Sequence, residues 1–172
     1  EINSFANPYP YVSKNIECFI AQFFRQTGNE ALIEEYALEP FTLNVLDKRQ
    51  TLTEKLVSLI RFSLSENYIY DVAAKIRHFY DLHYLLKDEE CKDYIYSEQF
   101  KTDFNLLLDY DRATFDNPEG WNTMDIEQSP LLSDFSALWA NLKTTYMKEL
   151  PAIAFSDIPD EKIVSQSFET IT

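Results

Sequence analysis

Apolar residues recur at helical spacing through most of the chain after Asp47, and this pattern constrains the fold more than any other feature. Residues 51–64 carry one apolar stripe, formed by Leu52, Leu56, Leu59 and Ile60. Residues 67–86 are apolar nearly all round, which predicts a central, buried helix. Only 2 of the 172 residues are glycine, which tight hairpins and phosphate-binding loops need for positive φ. The sequence therefore predicts a mainly α fold.

Further helices are predicted on both sides of this stretch. They cover residues 13–26, 30–36, 88–94, 98–114, 130–150 and 159–171. Ser13 is the candidate cap of the first of these helices, and Gly28 ends it. A loop marked by Asn117, Pro118 and Gly120 follows the helix at 98–114. Two prolines, in contrast, suggest an extended segment over residues 1–12.

One segment, Phe41–Leu46, has the alternation of a β-strand. A single strand cannot satisfy its own backbone hydrogen-bonding groups, so it needs a neighbour. Two sources for that neighbour stay open: a poorly marked strand in the first dozen residues, or chain that precedes Glu1.

The charge balance limits the partners that this chain can bind. The formal net charge is -14, which repels nucleic acid over most of the surface of the isolated chain. The two cysteines, Cys18 and Cys91, have no metal-site spacing and are interpreted as reduced thiols without a chemical role. No signal peptide and no apolar run of membrane-spanning length is found, so a cytoplasmic location without membrane contact is expected.

Four charged residues stand out within residues 51–86. On the first helix, Lys55 lies about 40° from Leu59 around the axis, by the 100° step of an α-helix, and so borders the buried stripe. From this helix alone the favoured explanation is a lysine whose stem covers apolar surface while its ammonium reaches water. Arg61 lies further round and by itself resembles an ordinary solvated residue. On the next helix Arg77 and Asp81 are four residues apart and form a predicted pair, either structural or functional.

These residues occur within segments that resemble the later part of the AbiEii family of nucleotidyltransferase-like toxins, from bacterial toxin–antitoxin and abortive-infection systems. The segments read LEPFTLNVLDKRQTLTEKLVSLIRFSL and KIRHFYDLHYLL. The third motif of the family is a Lys and an Arg on one helix, which Lys55 and Arg61 match.

The fourth motif of the family is close to RDxxD. Arg77, Tyr80 and Asp81 match it within RHFYD. His78 stands where the family often has Asp, so the role of position 78 is left open.

The resemblance implies roles for these side chains. Similar enzymes hold Mg²⁺ and a nucleoside triphosphate (NTP) with two carboxylates on a GS…DxD segment. Lys55 would act as a catalytic point charge on the triphosphate. Asp81, oriented by Arg77, would support the site or help to activate the acceptor hydroxyl. Arg61 would help to position phosphate or acceptor.

The GS…DxD motif is missing, since Gly28 is followed by Asn29 and Gly120 by Trp121. The resemblance therefore implies a C-terminal fragment that binds no metal of its own. Residues 1–47 would be a remnant of the nucleotidyltransferase α/β core with one residual strand, and residues 48–172 a helical, bundle-like C-terminal domain. The intact protein would use Mg²⁺ and NTP to modify an acceptor, which the resemblance suggests is RNA such as tRNA, and would have a cognate antitoxin. The fragment alone is expected to be inactive.

A second class of function stays open, an acidic helical module that binds a protein without catalysis. The charge of -14 and the aromatic residues within 133–146 fit it. The position of Lys55 relative to Asp81 discriminates between the enzyme and the protein-binding module, because the enzyme hypothesis requires the two side chains to meet at an accessible site.

Overall fold

The computed structural model describes residues 10–154 and 157–169. The chain divides into two compact units, Glu1–Gln50 and Thr51–Thr172. An extended segment was predicted at residues 1–12. Residues 1–9 of it lie outside the described residues, and Tyr11 and Val12 belong to a strand.

Over residues 10–47, the first unit contains two strands and two short helices. In chain order these are β1 (Tyr11–Ile16), α1 (Phe19–Gln26), α2 (Ala31–Glu35) and β2 (Phe41–Leu46). The strand predicted over Phe41–Leu46 is confirmed. Of the two sources left open for its neighbour, the first is found: β1, which begins within the first dozen residues, pairs with β2 in antiparallel register from Tyr11 opposite Leu46 to Ile16 opposite Phe41.

The helix predicted from residue 13 begins later. Residues 11–16 pair with β2 instead, and the Ser13 hydroxyl contacts Asn44 Oδ1 across the sheet at 3.0 Å. The prediction that Ser13 caps a helix is therefore wrong, because cross-strand pairing overrides the local spacing. Helix α1 starts at Phe19, and its cap is Cys18, whose Sγ accepts the Ala21 N–H.

The second unit is helical. Its α-helices are α3 (Lys48–Ser63), whose first residues precede the unit boundary, α4 (Tyr68–Ala73), α5 (Ile76–Leu85), α6 (Glu89–Ile95), α7 (Glu98–Thr114), α8 (Pro130–Ser133), α9 (Phe135–Glu149) and α10 (Glu161–Glu169). Within the described residues the only strands are β1 and β2, so the predicted mainly α fold is confirmed. None of the described helices is long and apolar enough to cross a membrane.

The single helix predicted over residues 67–86 is interrupted. After α4 the Lys75 N–H bonds to the Val72 carbonyl, three residues back, and α5 starts at Ile76. The turn allows α4 to pack on α9 and α5 to pack on both α9 and α10. Tertiary packing therefore divides a segment whose apolar pattern is continuous.

A second predicted helix, from Pro130 towards residue 150, is also divided. Asp134 has non-helical backbone angles and its side chain accepts the Ala137 N–H at 3.1 Å, so α9 begins as a separate helix. A carboxylate at this position satisfies a backbone donor that the first turn leaves unpaired.

Aromatic residues form the centre of the core. The Phe79 ring on α5 lies 5.3 Å from Trp139 and 5.1 Å from Phe168, between ring centroids, so it joins α5 to α9 and α10. Leu52 and Leu59 of α3 belong to the same core cluster, as does Cys91. Both cysteines are free thiols, as the sequence indicated. This packing fixes the position of α3 and α5, which carry the candidate site.

Candidate functional site

The centre of the candidate site is an ion pair between α3 and α5. Lys55 Nζ donates to Asp81 Oδ2 at 2.8 Å. The neighbours of Lys55 on α3, Leu52 and Leu59, are fully buried, so the helix holds the root of this side chain at the core boundary. The side chains of Lys55 and Asp81 are 14% and 23% exposed. The pair is thus neither sealed in the core nor fully solvated.

Arg77 contacts the same carboxylate from the outer side. Its Nε lies 3.6 Å from Asp81 Oδ2, one helical turn away, and its side chain is 61% exposed. The Arg77–Asp81 pair proposed from the spacing is present, but it is longer and more solvated than the pair with Lys55. Two cations share one carboxylate, so this group of three has a net positive charge in an acidic chain.

His78 lies beside this ion pair and is uncharged at neutral pH. Burial lowers the pKa of His78 to about 4, and the positive charges of Lys55 and Lys75 act in the same direction. Its Nδ1 is buried and has no hydrogen-bond partner among the described residues. The Lys75 ammonium is nearby and sits over the Phe62 ring, 4.6 Å from the centroid. The imidazole therefore adds no charge to the ion pair at neutral pH.

Arg61 is placed in a different environment from the other three. Its Nη1 lies 3.3 Å from Asp111 Oδ2 on α7, and the two side chains are 14% and 13% exposed. The interpretation of Arg61 as a solvated residue is therefore wrong. Burial lowers the pKa of Arg61, and Asp111 opposes this shift. Burial raises the pKa of Asp111, and Arg61 opposes that shift in turn.

Aromatic rings surround the Arg61 guanidinium. Its Cζ lies 4.5 Å from the centroid of Phe115, 4.9 Å from that of Phe62 and 5.8 Å from that of Trp121. Cation–π contacts of this kind strengthen when the charge is withdrawn from water. Arg61 thus links α3, α7 and the Trp121 segment through Asp111 and these rings.

The residues present do not fit a Mg²⁺ ion. Across residues 10–154 and 157–169, no three His, Cys, Asp or Glu side chains are grouped so that they could hold a metal. Asp81 contributes one carboxylate, and two cations already share it. No metal-dependent step is assigned to these side chains.

An open cleft near the start of α4 lies elsewhere on the second unit. Its lining includes the carboxylates Glu66, Asp71 and Glu119 and does not include Lys55, Arg61, Arg77 or Asp81. Such a lining repels phosphate groups. The cleft is therefore not a triphosphate site.

The aromatic residues within 133–146 are core residues. Phe135, Trp139 and Tyr146 are buried, and Trp139 donates its Nε1–H to Glu161 Oε2 at 2.8 Å. These rings are unavailable to a partner, so they do not support the protein-binding alternative.

Two features of the site were missed from the sequence. Asp111 could have been found, because it follows the buried Leu107 and Leu108 at helical spacing and so faces inward. The contact between the rings of Tyr80, already identified as a motif residue, and Tyr84 was also missed, although their spacing of four was visible in the sequence.

The comparisons with known proteins bear on the family. The family model described as "Nucleotidyl transferase AbiEii toxin, Type IV TA system" matches residues 1–169. Neither the curated proteins nor the solved structures gave a match to this chain. The match covers nearly the whole chain and agrees with the resemblance seen in the Lys55 and Asp81 segments. The chain belongs to the AbiEii nucleotidyl transferase toxin family of type IV toxin–antitoxin systems.

Proposed function

We propose that this chain supplies the phosphate-binding part of a centre that transfers a nucleotide from NTP to an RNA acceptor such as tRNA. One observation carries the proposal: Lys55 Nζ lies 2.8 Å from Asp81 Oδ2, and both side chains are partly exposed. Two motif residues from separate helices thus meet at the core boundary, beside the exposed Arg77.

The family supports the reaction class. Its description joins nucleotidyl transfer to a toxin–antitoxin system, which implies NTP and metal use in general and an antitoxin partner. The acceptor RNA is part of the proposal alone.

Lys55 would bind the triphosphate. Two unit charges 4 Å apart interact with about 4 kcal/mol at an effective dielectric of 20, which suits a site at the core boundary. Asp81 holds the ammonium in place before the ligand arrives, and Arg77 adds a second, exposed cation. The charge that develops during phosphoryl transfer is therefore met by groups that are already oriented.

Asp81 would also assist the acceptor hydroxyl. When phosphate draws Lys55 away, the carboxylate becomes free to accept a proton from that hydroxyl. Arg61, held by Asp111, would support the site by fixing α3.

The metal-binding carboxylates of the reaction would come from outside residues 1–172, and these residues alone would be inactive. The pairing of Asp81 with two cations supports this division, since it leaves no carboxylate pair at the site. A complete reading frame without a GS…DxD segment would contradict this part of the proposal.

The reaction can be tested with the protein expressed from its complete reading frame. Each of the four labelled NTPs is incubated with the protein and total RNA, and covalent label on RNA is measured after denaturing separation. Transfer of at least one nucleotide is expected. Absence of label from every NTP, with folded protein, would contradict the proposal.

The protein-binding alternative is favoured by a different observation from the one that suggested it. Helix α1 exposes Phe19, Ile20 and Phe23, at 84%, 56% and 57%. Exposed apolar side chains that lie together are typical of protein contacts. Nucleotide transfer by the complete protein would separate the two hypotheses.

A further inference from the structure

Two tyrosines form an aromatic surface next to the ion pair. The rings of Tyr80 and Tyr84 meet edge to face, with centroids 4.9 Å apart and planes at 62°. By the 100° step of a helix, both lie within about 100° of Arg77 and Asp81 on α5. The two rings and the Arg77–Asp81 pair therefore occupy one face of α5.

Both rings are held in place from behind. Tyr80 packs against the core cluster. The Tyr84 ring meets the ring of His83 at 5.3 Å, and His83 is buried and hydrogen-bonded to Ser167 Oγ through Nδ1 at 2.8 Å. Tyr84 nevertheless remains 43% exposed. An exposed ring on a fixed support loses little conformational entropy when a flat ligand stacks on it.

We propose that Tyr80 and Tyr84 bind the nucleobase of the NTP whose phosphates Lys55 and Arg77 hold. This inference rests on the proposed function and assigns a base subsite to it. Tyr84 lies seven residues, or about 10 Å along the helix axis, from Arg77. A nucleotide likewise places an aromatic base at one end and phosphate charge at the other.

The charge distribution favours a mononucleotide over a polynucleotide as the source of that base. The chain has a net charge of -14, and a long nucleic acid would meet repulsion beyond the few cations of this site. A single NTP covers only the local cations Lys55, Lys75 and Arg77. Lys87, whose Nζ lies 5.2 Å from the Tyr84 centroid, adds one more positive charge beside the rings.

The experiment compares the affinity of the protein for NTP with that for inorganic triphosphate, by calorimetry on the protein from the complete reading frame. Variants are Tyr84→Ala, Tyr80→Ala and the ring-preserving Tyr84→Phe. Tyr70→Ala is the matched control, because Tyr70 is 77% exposed on α4. Circular dichroism and the thermal midpoint establish that each variant is folded.

Loss of a stacked base typically reduces affinity about 5- to 150-fold. We expect this loss of NTP affinity in Tyr84→Ala, and NTP affinity should also fall in Tyr80→Ala. Tyr84→Phe and Tyr70→Ala should bind NTP with wild-type affinity. Affinity for inorganic triphosphate should stay unchanged in all four variants. That combination would support the base subsite.

Other outcomes overturn it in distinguishable ways. Unchanged NTP affinity in Tyr84→Ala, with intact triphosphate binding, rejects the base subsite and leaves the proposed function standing. Equal losses for NTP and triphosphate show that the rings act on the phosphate site instead. A single-stranded oligonucleotide is a third probe. If Tyr84→Ala and Tyr80→Ala bind it more weakly but keep wild-type affinity for NTP, the rings belong to the acceptor site and the NTP assignment is rejected. Failure of the wild type to bind either probe rejects both proposals.

Discussion

The Lys55 ammonium lies 2.8 Å from the Asp81 carboxylate and ties α3 to α5 across 26 residues of sequence. From the sequence, each residue alone had a structural explanation at least as good as the functional one. Their meeting at a partly exposed position brings two family motifs into a single site. Arg77 shares the carboxylate, whereas Arg61 is paired with Asp111.

We expect Lys55 and Asp81 to be energetically coupled. A double-mutant cycle tests this, with the variants Lys55→Met, Asp81→Asn and the combination of the two. The coupling free energy should be about 1 kcal/mol, because the pair is partly withdrawn from water. Urea unfolding of the four proteins measures it. Met is chosen because it replaces the apolar stem of Lys55 at the core boundary.

A surface pair provides the control for that cycle. Lys101 and Glu98 are joined at 2.6 Å, but their side chains are 66% and 86% exposed. Their cycle should give a coupling close to zero, since solvent screens such pairs. A Lys55–Asp81 coupling no larger than this would show that the ion pair is not preorganised.

Arg61 is expected to be needed for stability. Arg61→Met leaves the Asp111 carboxylate in a mostly buried position without its cation, so the free energy of unfolding should fall by about 3 kcal/mol. Arg61→Lys should recover only part of this loss, because an ammonium cannot stack flat on the surrounding rings. Chemical denaturation of both variants measures the difference.

Asp111→Leu in the Arg61→Met background is the companion variant. Removing the stranded carboxylate should restore part of the stability lost by Arg61→Met. If Arg61→Met is instead as stable as the wild type and loses only nucleotide binding, Arg61 is a phosphate ligand and not a link between α3 and α7.

His78 should make stability depend on pH between about 6.5 and 4. In the unfolded chain His78 takes up a proton as pH falls through its ordinary pKa of 6.5, whereas the pKa of about 4 keeps it neutral in the folded chain. The unfolded state then binds more protons, so stability falls as pH falls through this window, by a total of about 3 kcal/mol. Urea unfolding at a series of pH values measures the slope.

His78→Gln should remove most of that slope without changing the trend due to other groups. The chain has 2 histidines, and burial also lowers the pKa of His83, so a smaller slope of the same sign should remain. His83→Gln provides the comparison. The same pH dependence in His78→Gln as in the wild type would mean that His78 is solvated.

The helices were largely predictable because their apolar residues lie on one face. Helix α7 has the predicted bounds, and β2 was visible from its alternation. Strand β1 was not, because Ile16, Phe19 and Ile20 also fit helical spacing, and only the presence of β2 decides between the two. The break before Ile76 likewise depends on what α4 and α5 pack against.

Some contacts of the candidate site could be predicted from the sequence and others could not. Local spacing predicted the contact of Arg77 with Asp81, since four residues on a helix fix their neighbours. The contacts of Lys55 with Asp81 and of Arg61 with Asp111 join separate helices, so helix packing determines them. The family motifs placed Lys55 and Arg61 on one helix, but they did not show that Lys55 pairs with Asp81 whereas Arg61 pairs with Asp111 among aromatic rings.

The most direct test of the central claim is the initial rate of nucleotide transfer from NTP to RNA by Lys55→Met, in the protein from the complete reading frame. Lys143→Met, which changes an exposed lysine on α9, is the control. Loss of a charge that stabilises the transition state should lower the rate about 100-fold. Wild-type rates in folded Lys55→Met would contradict the assignment of Lys55 to the transfer site.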